Sequence, residues 1–215
     1  MINLTKENIS ISIIWLFHLS GILGIIYGNS DWFVSVTPIN LSISFILLML
    51  NTDLKLRVIL FILLCFSLGM LVEILGVSYG LIFGNYEYGD VLGYKILDVP
   101  VIIGINWCIL ILITGTMSNL LFNNYWSKVF CGTFLMLFMD ILIEPIAPIL
   151  GFWNFEGGIA AFQNYLGWFF VSFPILILFH KLKPNVNNSY SFNLYLLQVL
   201  FFIILILKNN TLGYI

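Results

Sequence analysis

Apolar stretches of bilayer length follow one another along this chain with little between them, and that repetition leaves few folds open. Of its 215 residues 61% are hydrophobic and only 8% charged, against about 25% charged in ordinary soluble domains. A hydrocarbon core about 30 Å thick is crossed by about 20 helical residues. Inside it, only helices or closed barrels satisfy the backbone. Stretches of that length cover residues 9–27, 32–50, 56–76, 99–120, 126–148, 165–182 and 190–207. The expectation is an all-α integral membrane protein, a bundle of about seven transmembrane helices forming a single transmembrane domain over residues 1–215.

With seven crossings, the N-terminus and the second, fourth and sixth loops share one side. That side carries Lys6, Lys55, Arg57, Lys128, Lys181 and Lys183, whereas Lys95 and Lys208 fall on the other. Positive residues concentrate on cytoplasmic segments, so the N-terminus is expected in the cytoplasm of a bacterial inner (cell) membrane. The formal net charge of -2, with eight Lys plus Arg, supplies no basic patch and argues against a nucleic-acid partner. Cys65, Cys108 and Cys131 fall in three different apolar stretches and read as packing residues.

Three carboxylates, Glu73, Asp140 and Glu144, lie within these stretches with no Lys or Arg beside them. A charged side chain near the bilayer centre costs about 2.5 to 3.5 kcal/mol, so such acids normally face the bundle interior and serve chemistry or transport. At 1.5 Å rise per residue, Glu73 lies about 5 Å, Glu144 about 6 Å and Asp140 about 12 Å below the outer end of its helix. Asp140 and Glu144 are four apart and share a helix face. Like charges on adjacent turns in low dielectric favour one neutral acid beside one carboxylate, a division of labour that suits general acid chemistry.

Blander readings exist for each. The Asp140 and Glu144 pair could serve backbone groups freed by Pro145 and Pro148, and Glu73 could snorkel to the interface. His18, in the middle of the first stretch, is expected to relay protons, to hold one of the acids, or to make a structural hydrogen bond. His180, beside Lys181, reads as interfacial, and Trp107, Trp126 and Trp168 as belt anchors. The segments 77–98 and 151–164 are the two long outer loops. Their apolar content predicts that they fold back over the acids, as a lid or re-entrant segment. Trp153, in the second loop, offers an aromatic face to a cation. No His or Cys spacing predicts a metal site.

The order of these features resembles the membrane carotenoid hydratase family, the group of gamma-carotene 1'-hydratases and bisanhydrobacterioruberin hydratases often labelled carotenoid biosynthesis proteins. The matching residues are Glu73 with Gly76, Phe83-Gly84-Asn85-Tyr86-Glu87-Tyr88, Leu92-Gly93, Val99-Pro100 and Trp107. They continue with Asp140 and Glu144-Pro145, Gly151-Phe152-Trp153 and Asn164-Tyr165-Leu166-Gly167-Trp168. The chain departs from that pattern in having Glu144 where Asp often precedes the proline, and in lacking a proline between Gly158 and Asn164.

The resemblance implies a cofactor-independent hydro-lyase that adds water to the terminal C1=C2 double bond of an acyclic carotenoid end group. Its substrate would be of the lycopene or gamma-carotene type, held in the lipid bilayer, with other carotenoid-pathway enzymes as possible neighbours. Asp140 or Glu144 would donate the proton. Trp153 and Tyr86 would stabilise the carbocation, and Glu73 would position water with Asn85 or Asn164. His18 and Trp107 complete the expected substrate-binding set. The rival reading is a proton-coupled membrane transporter of a small or lipophilic substrate.

Overall fold

The computed structural model describes residues 5–212. Its long helices are α1 (Lys6–Tyr27), α4 (Leu56–Tyr79), α5 (Val101–Leu121), α6 (Tyr125–Ile143), α7 (Phe162–Leu182) and α8 (Asn188–Leu212). These six are, among the described residues, the helices long and apolar enough to cross a membrane. Their boundaries follow local chemistry. Thr5 and Asn124 accept backbone N–H bonds at the starts of α1 and α6, and Gly80 ends α4 at φ 64°, a left-handed conformation that suits glycine.

The second expected span is broken. It forms a six-residue helix α2 (Ser30–Ser35) and a fourteen-residue helix α3 (Thr37–Leu50), hinged at Val36 with Pro38 in the first turn of α3. Proline lacks the N–H an interior helical position would need and is accommodated at a helix start. At 1.5 Å per residue α3 is about 21 Å long, too short to cross the core unaided. Even so, the chain traverses the bundle here. The end of α3 meets the α7–α8 connection through a bridge from Thr52 to Val186 and a bond of 2.9 Å from Asn187 N to Asn51 O. Lys6 also donates to Leu50 O there. The basic segments around Lys6, Lys55 and Lys183 therefore share one end.

α5 lies at the centre. About 83% of its apolar stretch is buried, against 33 to 39% for the other five long helices, and α3, α4, α6, α7 and α8 all pack against it. The outer helices present side chains such as Leu60, Leu63, Phe134 and Phe170 outward, the surface expected of helices facing lipid.

At the end opposite Lys6, the two long loops fold over the bundle as expected. β1 (Tyr86–Tyr88) in the first loop pairs antiparallel with β4 (Trp153–Phe155) in the second. β2 (Lys95–Ile96) and β3 (Val99–Pro100) form a hairpin through Leu97 and Asp98, both at positive φ, the geometry of a primed two-residue turn. Phe83, Tyr86, Tyr88, Leu92, Phe152 and Phe155 of these loops are buried.

Candidate functional site

Glu73 is the first piece. It sits on α4 and is 4% exposed, so it does not snorkel to water. Its Oε2 accepts from the Tyr86 hydroxyl at 2.5 Å and the Tyr88 hydroxyl at 2.7 Å, and its Oε1 accepts from the Trp107 indole N–H at 2.9 Å. Three donors thus satisfy both oxygens of a buried carboxyl that would otherwise be costly to leave unpaired in an apolar interior. Burial, and then the adjacent Glu73 charge, push both phenols well above their ordinary range, so both remain O–H donors.

Glycines on the same face of α4 let these partners approach. A Cβ on Gly69 would stand 2.6 Å from Trp107, and one on Gly76 would stand 2.8 Å from the Tyr86 hydroxyl. Trp107 in turn stacks on Trp168 of α7 with centroids 4.5 Å apart and planes 11° apart. Trp107 and Trp168 are thus interior residues and not belt anchors, whereas Trp126 is exposed.

Asp140 and Glu144 form the second piece. Asp140 lies in the last turn of α6 and Glu144 is its C-cap, both buried. Asn164, in the first turn of α7, donates from Nδ2 to Asp140 Oδ2 at 2.8 Å and to Glu144 Oε1 at 3.2 Å. The Trp153 indole N–H donates to Glu144 Oε2 at 3.2 Å. Asp140 Oδ1 is buried with no donor among the described residues. Glu73, Asp140 and Glu144 all line one small pocket of about 30 Å³, together with Tyr86, Tyr88, Trp107, Trp153, Asn164 and Trp168. That is room for a water or two.

Beside it opens a larger cavity of about 360 Å³, walled mostly by apolar residues of α1, α2, α3, α5, α6 and α8. Ile103, Asn106, Ile143 and Trp153 belong to the walls of both spaces. Exposed Leu16, Phe17, Trp32 and Ile39 mark its outer rim. The hinge between α2 and α3 lies along this rim, since Val36 and Thr37 also line the cavity.

Most of the residues singled out from the sequence converge here, with two exceptions. Asn85 is exposed on the loop and donates to Glu156 at 2.8 Å, outside the pocket. His18 touches none of the acids; its Nδ1 lies 2.8 Å from Ile14 O and its ring lines the large cavity. His180, in the last turn of α7, is buried, 3.2 Å from Ser118 Oγ. The sequence gives Tyr88 no role beyond its place in the matching motif, and it points neither to Asn106 nor to the pairing of Trp107 with Trp168. Tyr88 had a signal, because alternate residues of a strand face one side and Tyr86 was already singled out.

No metal-binding cluster of three His, Cys, Asp or Glu side chains occurs among the described residues. The buried carboxyls meet amide, indole and phenol donors, in a small pocket whose wall is partly shared with the apolar cavity. This arrangement can hold an apolar chain end against an acid and a water.

No curated protein and no solved structure matches the chain. A family model described as carotenoid biosynthesis protein matches residues 34–213, a stretch that contains every acid and aromatic of the pocket. The chain therefore belongs to the carotenoid biosynthesis protein family.

Proposed function

We propose that this protein is a carotenoid hydratase, adding water to the terminal C1=C2 double bond of an acyclic end group of the lycopene or gamma-carotene type. The observation that carries the reading is the Asp140–Asn164–Glu144 arrangement in a small pocket that shares Ile103, Asn106, Ile143 and Trp153 with the wall of an apolar cavity. Two carboxylates are both acceptors and cannot hydrogen-bond each other, whereas one proton between them makes their proximity favourable. Asn164 donates to Oδ2, which favours Oδ1 of Asp140, buried and without a hydrogen-bond partner among the described residues, as the oxygen that carries the proton.

The step balances without redox change. The Asp140 O–H proton goes to C2, the π electrons form the new C2–H bond, and a tertiary cation develops at C1. The carboxylate left on the Asp140 and Glu144 pair and the Trp153 face stabilise that cation in a dry site. A water oxygen bonds to C1 and its surplus proton returns to the pair, giving a tertiary alcohol. No external reductant or oxidant enters.

The cavity holds the end group, and the remaining polyene leaves past Leu16, Phe17, Trp32 and Ile39 into lipid. The charge bias favours the extracytoplasmic side for this end of the bundle. A transporter reading has less support, because the acids lie under a β-sheet at one end of the bundle.

Expression in a host that accumulates lycopene tests the proposal. The pigments should gain the mass of one water per reacting end, and Asp140→Asn and Glu144→Gln should each abolish the gain while the protein remains folded in membranes. Hydration by the doubly neutralised variant at the wild-type level would overturn the site.

A further inference from the structure

The hydration reading needs a group that holds the attacking water, and the amides first considered for it are occupied or distant. Asn85 is outside the pocket, and the Asn164 amide N–H group is committed to both carboxyls. Glu73 spends its oxygens on Tyr86, Tyr88 and Trp107. One amide in the pocket has no such commitment. Asn106 lies on α5, on the stripe Ile103, Asn106 and Leu110 that faces the large cavity, and it also lines the small acid pocket. Among the described residues its side chain has no hydrogen-bond partner. An uncommitted amide on an otherwise apolar helix face, at the junction of the two spaces, lies where an alkene end and a water would meet.

We infer that Asn106 is the residue that positions the nucleophilic water, its amide holding the water so that a lone pair faces C1. The inference rests on the hydration reading above and adds a role that reading lacks. An asparagine amide can both accept and donate hydrogen bonds, so it orients a neutral water without adding a charge of its own beside the cation. When the cation forms, the water oxygen bonds to C1 and the released proton passes to the Asp140 and Glu144 pair. Without the held water, the cation has one other exit, which is loss of a proton from C2 or an adjacent methyl back to the carboxylate. Protonation and hydration therefore become separable at this one residue.

The test uses whole protein in membranes, supplied with lycopene in D2O. The wild type should form alcohol carrying deuterium at C2. Asn106→Leu, close in volume, should lose alcohol formation by about 100-fold, as when a single positioned hydrogen-bonding group is removed. It should still wash deuterium into the recovered alkene or its terminal-methylene isomer. Asn106→Ser, which keeps a donor and an acceptor, should recover part of the alcohol. Alcohol formation by Asn106→Leu at the wild-type rate would overturn the assignment. So would loss of alcohol and deuterium exchange together in Asn106→Leu and Asn106→Ser with unfolding temperatures unchanged, since that marks a residue needed for protonation. A wild type that yields neither alcohol nor deuterated alkene would instead sink the hydration reading itself.

Discussion

The Trp153 indole N–H reaches Glu144 Oε2 at 3.2 Å, so the β-sheet that covers the site is fastened to one of its acids. Through the register Tyr88↔Trp153 the same strand pair also carries the Tyr88 hydroxyl to Glu73. The loops and the three carboxyls thus form one hydrogen-bonded unit, and displacement of either loop is felt at both ends of the site.

Trp153→Phe keeps an aromatic face and removes the hydrogen bond to Glu144. It should lower hydration by about tenfold, the equivalent of about 1.4 kcal/mol. Trp153→Ala, which also removes the face, should cost about tenfold more. Product yield at equal protein level in membranes measures both, and equal yields from the two variants would remove the ring from the cation's surroundings.

Asn164→Leu takes the shared donor from Asp140 and Glu144 at once. Hydration should fall by about 100-fold, and stability should fall by about 1 to 3 kcal/mol because buried acceptors lose a partner. Asn164→Gln, with the same amide on a longer stem, should fall between Leu and the wild type. Pigment analysis together with thermal unfolding of the detergent-solubilised protein checks this.

Glu73→Leu strands three buried donors, the Tyr86 and Tyr88 hydroxyls and the Trp107 indole. The expected loss of stability is about 3 kcal/mol or more, at about 1 to 3 kcal/mol per stranded group. Tyr88→Phe in the Glu73→Leu background should cost less than Tyr88→Phe alone, since the bond it removes is already gone. Additive losses in the two backgrounds would mean that Glu73 and Tyr88 act independently.

Gly69→Ala places a methyl 2.6 Å from the Trp107 ring, which is itself pinned between Glu73 and Trp168. A loss of about 1 to 3 kcal/mol is expected, with hydration reduced as Trp107 shifts. Gly21→Ala, whose Cβ meets only Phe201 at 3.6 Å, provides the contrast and should fold at nearly the wild-type temperature.

Orientation is tested by single cysteines. With Cys65, Cys108 and Cys131 replaced by Ser or Ala, Asp90→Cys on the exposed outer loop should react with a membrane-impermeant maleimide in intact cells. Lys183→Cys should react only after the membrane is opened. The reverse pattern would invert the topology.

Membrane residence and most helix positions follow from the sequence alone, because apolar length is a local property that the bilayer reads directly. The break between α2 and α3 left a signal in Pro38 that apolar length overrode, since composition across the hinge is continuous. The acids were conspicuous for an equally local reason, since charge in an apolar run has no local partner. What they touch was decided only in the tertiary structure. Asp140 and Asn164 meet because α6 and α7 pack side by side, and Glu73 meets Tyr86 and Trp107 where Gly76 and Gly69 of α4 admit them, with Tyr88 brought in two residues along the same strand. Asn85 and Asn106 look alike as letters in a chain, yet one faces solvent on a loop and the other faces the cavity from the central helix. Hydrogen-bond partners distant in sequence depend on how elements pack, and no periodicity encodes that.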